Sequence, residues 1–146
     1  MNTLAPGDHQ VVVFGMIALD SVFKILKDKI RAEEILEGPE AVVFKTKWGK
    51  GVGVTTSNEA ILEVGEKMGY SLVVKKDPKI GHVRIYARWD RQVDLTNAYQ
   101  KLKKLDPGAT WFLHSSKNLL LNGSIRNPKM RSTRLGLKEI IEVLKT

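Results

Sequence analysis

The chain has 146 residues, of which 42% are hydrophobic and 27% are charged, a balance typical of a globular protein. Its 24 lysines and arginines exceed its 16 aspartates and glutamates, and the resulting net charge of +8 would attract polyanions. The lack of cysteine excludes disulfides and thiolate metal sites, and with no secretory signal and no run of roughly 18 apolar residues we expect a cytoplasmic protein without a membrane partner.

Apolar runs alternate with helical patterns in the first half of the chain. Residues 10–16 are rich in β-branched side chains and predict a buried strand. Helical spacing from residue 19 to about residue 36 predicts a helix. Residues 40–48 and 51–56 predict a hairpin, and 57–69 a helix that Ser57 or Asn58 would cap. The stripe expected to be buried on the first helix consists of Leu19, Val22, Phe23, Leu26 and Ile30.

The second half predicts one further hairpin, two short strands and two further helices. An apolar run, the turn at 77–81 and alternating apolar residues after it indicate a hairpin over 70–89. Helical periodicity covers 95–105, and short apolar runs at 111–114 and 118–123 indicate two strands. A last amphipathic helix is expected over about 133–145, with Ser132 or Thr133 at its start.

These elements predict an α/β fold in the order βαββαββαββα. We expect a mixed sheet with antiparallel hairpins and about four flanking helices. No flexible linker interrupts the sequence, so a single compact domain over 1–146 is expected, with possible lobes at 1–69 and 70–146.

Residue patterns of catalytic sites are missing from the sequence. The histidines His9, His82 and His114 are far apart and show no metal-ligand spacing. No serine lies in a nucleophile-elbow pattern, and the glycines of 49–53 do not match a phosphate-binding loop. We therefore expect no catalytic residue, no metal and no cofactor in this chain.

A basic segment between Asp106 and Glu139 has six cations and no acidic residue. Small polar turns and a helix start in this segment would supply backbone donors for anions. The interpretation is a groove for phosphates, most simply those of a single-stranded nucleic acid; the alternative is a solvated loop. The predicted ligand-binding residues are His114, Ser115, Ser116, Lys117, Asn118, Asn122, Gly123, Arg126, Lys129, Arg131, Thr133 and Arg134.

The segment WFLHSSKNLLLNGS, followed by RSTRLGL, resembles the C-terminal end of the DHH phosphoesterase superfamily, most closely its melanocyte-proliferating-gene family. The similarity covers about residues 70–146. The matching positions are Phe112 to His114, Ser115, Ser116, Leu119 to Leu121, Gly123, Thr133, Arg134 and Leu137. The resemblance implies a domain that grips phosphodiester or polyphosphate substrates. The family's DHH triplet and Asp-x-Asp motif are missing here, so the catalytic part of such an enzyme is not expected in this chain.

Three functions therefore stay open on the sequence alone. The first is binding of nucleic acid or another phosphate-rich ligand. The second is a hydrolase subunit that becomes active with a metal-bearing DHH-domain partner, and the third is a protein-interaction domain with a basic face. If bases stack on the protein, the available aromatic platforms are Trp48, Trp89, Trp111 and Tyr86.

Overall fold

The computed structural model describes residues 6–123 and 126–145, with only the backbone of residues 6–11. The described chain forms α-helices and a sheet of six strands. In chain order the elements are α1 (Pro6–Glu37), β1 (Val42–Thr46), β2 (Gly49–Thr55), α2 (Ile61–Lys67), β3 (Leu72–Lys76), β4 (Val83–Ala87), a 3-10 turn (Trp89–Arg91), α3 (Thr96–Leu105), β5 (Trp111–Leu113), β6 (Leu119–Asn122) and α4 (Leu137–Leu144).

The sheet is mixed, as predicted, and its strand order is β1-β2-β3-β4-β6-β5. Neighbouring strands are antiparallel except β2 and β3, which are parallel and are connected through α2. The two predicted hairpins therefore form as β1–β2 and β3–β4, and the last two predicted strands also pair as the antiparallel β5 and β6. The α/β class of the fold is confirmed.

Each face of the sheet packs against a different pair of helices. Because side chains alternate along a strand, Leu72 and Val74 of β3 belong to the core beneath α3 and α4, whereas Val73 points to the opposite face. There it joins Ile61 of α2 and Leu36 near the end of α1 in a smaller cluster. The larger core lies on the α3–α4 side.

The sheet face on the α2 side is only partly covered by the described helices. Over β2 and β3 it is packed beneath α2, but over β4, β6 and β5 it carries half-buried or exposed side chains. We call this region the open face; its residues are Arg84, Tyr86, Phe112, Leu119 and Leu121. A groove of about 380 Å³ runs between the open face and α2.

The predicted strand at 10–16 is wrong, because these residues belong to α1. A run of β-branched residues fits a buried strand and a helix equally well. Here no turn residue separates the run from the helical pattern that follows, so one helix continues through both. The observed element order is αββαββαββα.

The predicted burial of the α1 stripe is also wrong within the described chain. Leu19, Phe23 and Ile30 are 60–63% exposed, whereas Ala32 and Leu36 are the buried residues of this helix. Of the side chains of α1 from Val12 onward, those of the C-terminal part therefore pack on the sheet domain. No described helix meets the length and apolarity that a membrane span requires.

The last helix begins at Leu137, not near residue 133. Gly136 occupies the position before it, and the Glu139 carboxylate accepts a hydrogen bond from the Gly136 amide at 3.2 Å. Thr133 is buried and donates to Asp106 instead of capping a helix. The start of α2 is also later than predicted, because Asn58 forms a turn by accepting from the Ala60 amide at 2.8 Å.

Candidate nucleic-acid interface

The predicted site residues lie at two opposite ends of the β5–β6 hairpin. Trp111 pairs with Asn122 and Leu113 with Leu120, so the turn at 114–118 lies at one end and the segment from Gly123 onward at the other. The turn of β3 and β4 shares the second end, because Val83 pairs with Asn122. The twelve predicted residues therefore do not form one groove.

The turn at 114–118 uses its polar groups internally. The Ser116 amide donates to His114 Nδ1 at 3.1 Å, and the Lys117 amide donates to the His114 carbonyl at 2.8 Å. Ser116 Oγ donates to Asn118 Oδ1, and Asn118 Nδ2 donates to the Ala87 carbonyl at 3.2 Å. Two of the amides expected to meet a phosphate are thus already occupied.

Asn122 fastens the segment that follows it to the end of the sheet. Its side chain is fully buried and donates to the carbonyls of Thr110 at 2.8 Å and Arg131 at 3.0 Å. Its Oδ1 accepts from the Thr133 amide at 2.8 Å. This side chain has used its donors and is not accessible to a ligand, so its observed contacts are structural.

The side chain of Asp106, at the end of α3, accepts hydrogen bonds from Thr133 and Arg134. Its Oδ2 accepts from Thr133 Oγ1 at 2.7 Å and from the Arg134 amide at 2.8 Å. These hydrogen bonds lower the pKa of Asp106 below its usual value, and the bond from the Arg134 amide has the largest effect. Thr133, also a predicted ligand residue, is therefore committed to a buried contact.

Gly123 makes the turn out of β6 at a positive φ of 83°. A β-carbon at this position would collide with the His82 ring. Both the backbone conformation and the contact therefore require glycine. Its role in the structure is close packing at the point where the basic segment leaves the sheet.

The hairpin turn between β3 and β4 lies against the basic segment. Ser132 Oγ donates to the Ile80 carbonyl at 3.0 Å, and Lys76 Nζ donates to the Leu135 carbonyl at 2.8 Å. Burial lowers the pKa of Lys76, and the nearby Glu139 opposes that shift. These contacts bring Lys79 to the same end of the molecule.

We call this surface the basic end; its cations are Lys79, Arg126, Lys129, Arg131, Arg134 and Lys138, all on exposed residues. Arg134 Nε lies 3.8 Å from Asp106, but 87% of the Arg134 side chain stays exposed. In the part of the chain that the structure describes, Lys79, Lys129, Arg131 and Lys138 form no ion pair with a carboxylate. Sequence reasoning missed Lys79 because its hairpin lies some fifty residues away from the segment it contacts.

Phe112 is the aromatic side chain next to the basic end. It follows Trp111, which is buried, and it is 50% exposed on the open face opposite Leu121. Tyr86 lies on the same face, where burial and the hydrogen-bonded Glu66 carboxylate raise its pKa. Sequence reasoning also missed Phe112, although strand alternation beside an inward Trp111 was the signal that could have found it.

The other predicted aromatic platforms lie elsewhere. Trp89 is 78% exposed but belongs to the 3-10 turn at the opposite end of the sheet. Trp48 is half-buried in the β1–β2 turn, with Lys47 Nζ 4.8 Å from the centre of its ring. Neither lies beside the basic end.

Among the described residues, no three His, Asp or Glu side chains converge as metal ligands would. No protein-family model matches the chain, and no curated protein matches its sequence. The resemblance to the DHH superfamily therefore stays a prediction, and the chemistry of the surface carries the functional argument.

Proposed function

We propose that this chain binds single-stranded nucleic acid, with phosphates on the basic end and a base stacked on Phe112. The proposal rests on one observation, which is that two surface features lie next to each other. Exposed cations lie at the end of the sheet, and four of them, Lys79, Lys129, Arg131 and Lys138, form no ion pair with a described carboxylate. A half-exposed aromatic ring lies on the adjoining strand. A polyanion with flat bases fits both.

Single strands fit this surface better than duplexes. Phosphate contacts provide affinity without reading sequence, and bases are free to stack on a protein ring only when they are unpaired. The open face is a sheet surface with an exposed ring, an arrangement that nucleic-acid-binding sheets use for stacking. Ring and cations together therefore favour an unpaired strand.

Glu66 of α2 limits the path of the bound strand. Glu63 and Glu66 line the groove beside α2, but Glu63 is neutralised by Lys29 and Lys67 at 3.2 and 3.1 Å. Glu66 forms no ion pair with another described residue, so its carboxylate repels phosphates. The backbone of the strand would thus lie over β5 and the basic end, away from α2.

The first prediction concerns the charge of the basic end. Reversing Lys79, Lys129 and Arg131 to glutamate should weaken binding to every oligonucleotide sequence, because phosphate contacts carry no sequence information. Each lost contact should also flatten the slope of log affinity against log salt by roughly 0.7 on a single strand. Fluorescence anisotropy of labelled oligonucleotides over a salt series measures both quantities.

A matched control reverses Lys47, Lys50 and Arg91, three exposed cations at the opposite end of the sheet. Both variants change the net charge by the same amount, so diffuse attraction would weaken both equally. The proposal requires a larger loss and a flatter slope in the basic-end variant. Equal losses, or no binding by the unmodified protein at low salt, would contradict it. Binding of an acidic protein in place of the oligonucleotides would favour the protein-interaction alternative.

A further inference from the structure

Most of α1 projects beyond the sheet domain. The helix has 32 residues, which corresponds to about 48 Å at the usual rise of an α-helix. Its described contacts with the rest of the chain start near its C-terminal third, where Asn58 Nδ2 donates to the Asp28 carbonyl at 2.9 Å and Lys29 pairs with Glu63. The preceding turns extend into solvent.

The projecting part of α1 is apolar. Eleven large hydrophobic residues between Val12 and Ile30 are 42–73% exposed. At roughly 100 Å² per large apolar side chain, these eleven half-exposed residues together expose on the order of 600 Å² of apolar surface. The largest apolar patch of an ordinary monomer is about 300–600 Å², and each partner of a standard protein interface buries about 800 Å². The apolar area of α1 therefore lies at the upper end of the monomer range and approaches the area that one partner of a standard interface buries.

Six of these residues follow the spacing by which helices pair. Counting along the helix, the steps between them are four, three, four, three and four residues, which is the a/d repeat of a coiled coil. We call this row the α1 seam; its residues are Val12, Met16, Leu19, Phe23, Leu26 and Ile30, and each is at least 50% exposed.

We propose that the α1 seam packs against the same seam of a second copy of this chain. An identical helix offers an identical apolar row, so pairing would cover both rows at once. The inference does not depend on the proposed function, because the seam and the basic end lie on different elements.

A second copy fits the charges of α1 better than a lipid surface does. Helices that lie on membranes have a polar face rich in lysine and arginine. Lys24, Lys27 and Arg31 lie in one row of α1 between Asp20 and Glu34, Arg31 is paired with Glu34, and Phe14 and Ile17 are exposed outside the seam. Among its described side chains, the helix therefore has an apolar pairing row, and its polar row mixes both signs of charge.

The seam can be tested by placing charges on it. Leu19→Glu with Phe23→Glu puts two charges on the seam, whereas the control Ile17→Glu with Ser21→Glu puts two charges, equally spaced, on the other side of the helix. Light scattering coupled to size exclusion should give the unmodified chain and the control at least twice the 16.4 kDa of one chain. The seam variant should have the mass of one chain, with an unchanged unfolding temperature of the sheet domain.

Cysteine cross-linking provides a second readout, because the chain has no cysteine of its own. Leu19→Cys with Phe23→Cys should form disulfide-linked dimers on mild oxidation. In a parallel pair each position faces the same position of the second copy, and in an antiparallel pair position 19 of one copy faces position 23 of the other, so both directions of pairing are detected. Ser21→Cys, on the far side of the helix, should form many fewer. A single-chain mass for the unmodified protein at about 100 μM, equal dissociation by both charge variants, or a single-chain protein that floats with anionic phospholipid vesicles would overturn the proposal.

Discussion

At the scale of single residues, Trp111 and Phe112 show how one strand separates core from surface. The Trp111 ring is buried under α3 and α4, and the neighbouring Phe112 ring is half-exposed on the open face. Strand alternation imposes this difference. An exposed ring on a sheet is available to stack on a base, and its removal costs the core little.

Phe112→Ala therefore separates stacking from folding. Loss of one stacked base weakens binding by about 1–3 kcal/mol, so the affinity for a single strand should fall by about 5- to 150-fold. The salt slope should not change, because no phosphate contact is lost. Anisotropy titrations of the variant and of Trp89→Ala, an exposed aromatic at the other end of the sheet, measure this. A comparable loss in Trp89→Ala would show that the ring beside the basic end has no special role.

The polar residues of the C-terminal segment show what the sequence could not decide. Asn122 and Thr133 have the residue types of a phosphate site, and both were predicted to contact ligand. In the structure their side chains form hydrogen bonds with Thr110, Arg131 and Asp106. These partners are up to 27 residues away, and such long-range pairing leaves no trace in a local pattern.

At the scale of elements, the sheet and the helices could be predicted, including α1 from residue 19 onward, but the first turns of α1 and the exposure of its apolar stripe could not. Turn residues and alternating apolar positions gave all six observed strands, and periodicity gave the helices. The strand at 10–16 failed because its apolar residues indicate burial, whereas the described chain leaves residues 12–14 exposed. If a second copy covers the α1 seam, as we propose, the sequence signal for burial comes from that contact between chains.

The connection from α3 to α4 depends on one buried carboxylate. Asp106→Asn keeps the shape of the side chain but weakens the hydrogen bonds from Thr133 and Arg134. Weakening hydrogen bonds at a buried group costs about 1–3 kcal/mol, so the unfolding temperature at pH 7 should fall. Asp90→Asn, an exposed partner of Arg88, should change it much less.

The pH dependence of the same variant has a definite sign. The folded state lowers the pKa of Asp106, so its contribution is present above an ordinary aspartate pKa of about 3.9 and is lost as pH falls through the folded value. The unmodified protein should therefore lose stability below about pH 4 more steeply than Asp106→Asn. Thermal unfolding between pH 7 and pH 3 tests this, and parallel curves would mean that Asp106 does not titrate with unfolding.

At the scale of the whole molecule, the two proposals concern different parts of the chain and can be tested separately. The basic end lies where β6 leaves the sheet, and the seam lies on a helix that only its C-terminal turns anchor. Paired copies would present two basic ends on one assembly. A strand long enough to reach both would then bind more tightly than a short one, through effective concentration.

Hydrogen exchange tests the assembly in the unmodified protein. Most helical stability in proteins comes from packing, and the turns of α1 between residues 14 and 26 have almost none in a single chain. If a second copy covers the seam, the amides of these turns should exchange slowly at high protein concentration and faster on dilution, whereas amides of β3, buried between α2 and the main core, should exchange slowly at both. Mass spectrometry of peptides from the two regions reads both rates in one sample. Rapid exchange of the α1 turns at every concentration would show that they remain uncovered. If their exchange stays slow even when the protein is diluted until it has the mass of one chain, pairing is not what protects them.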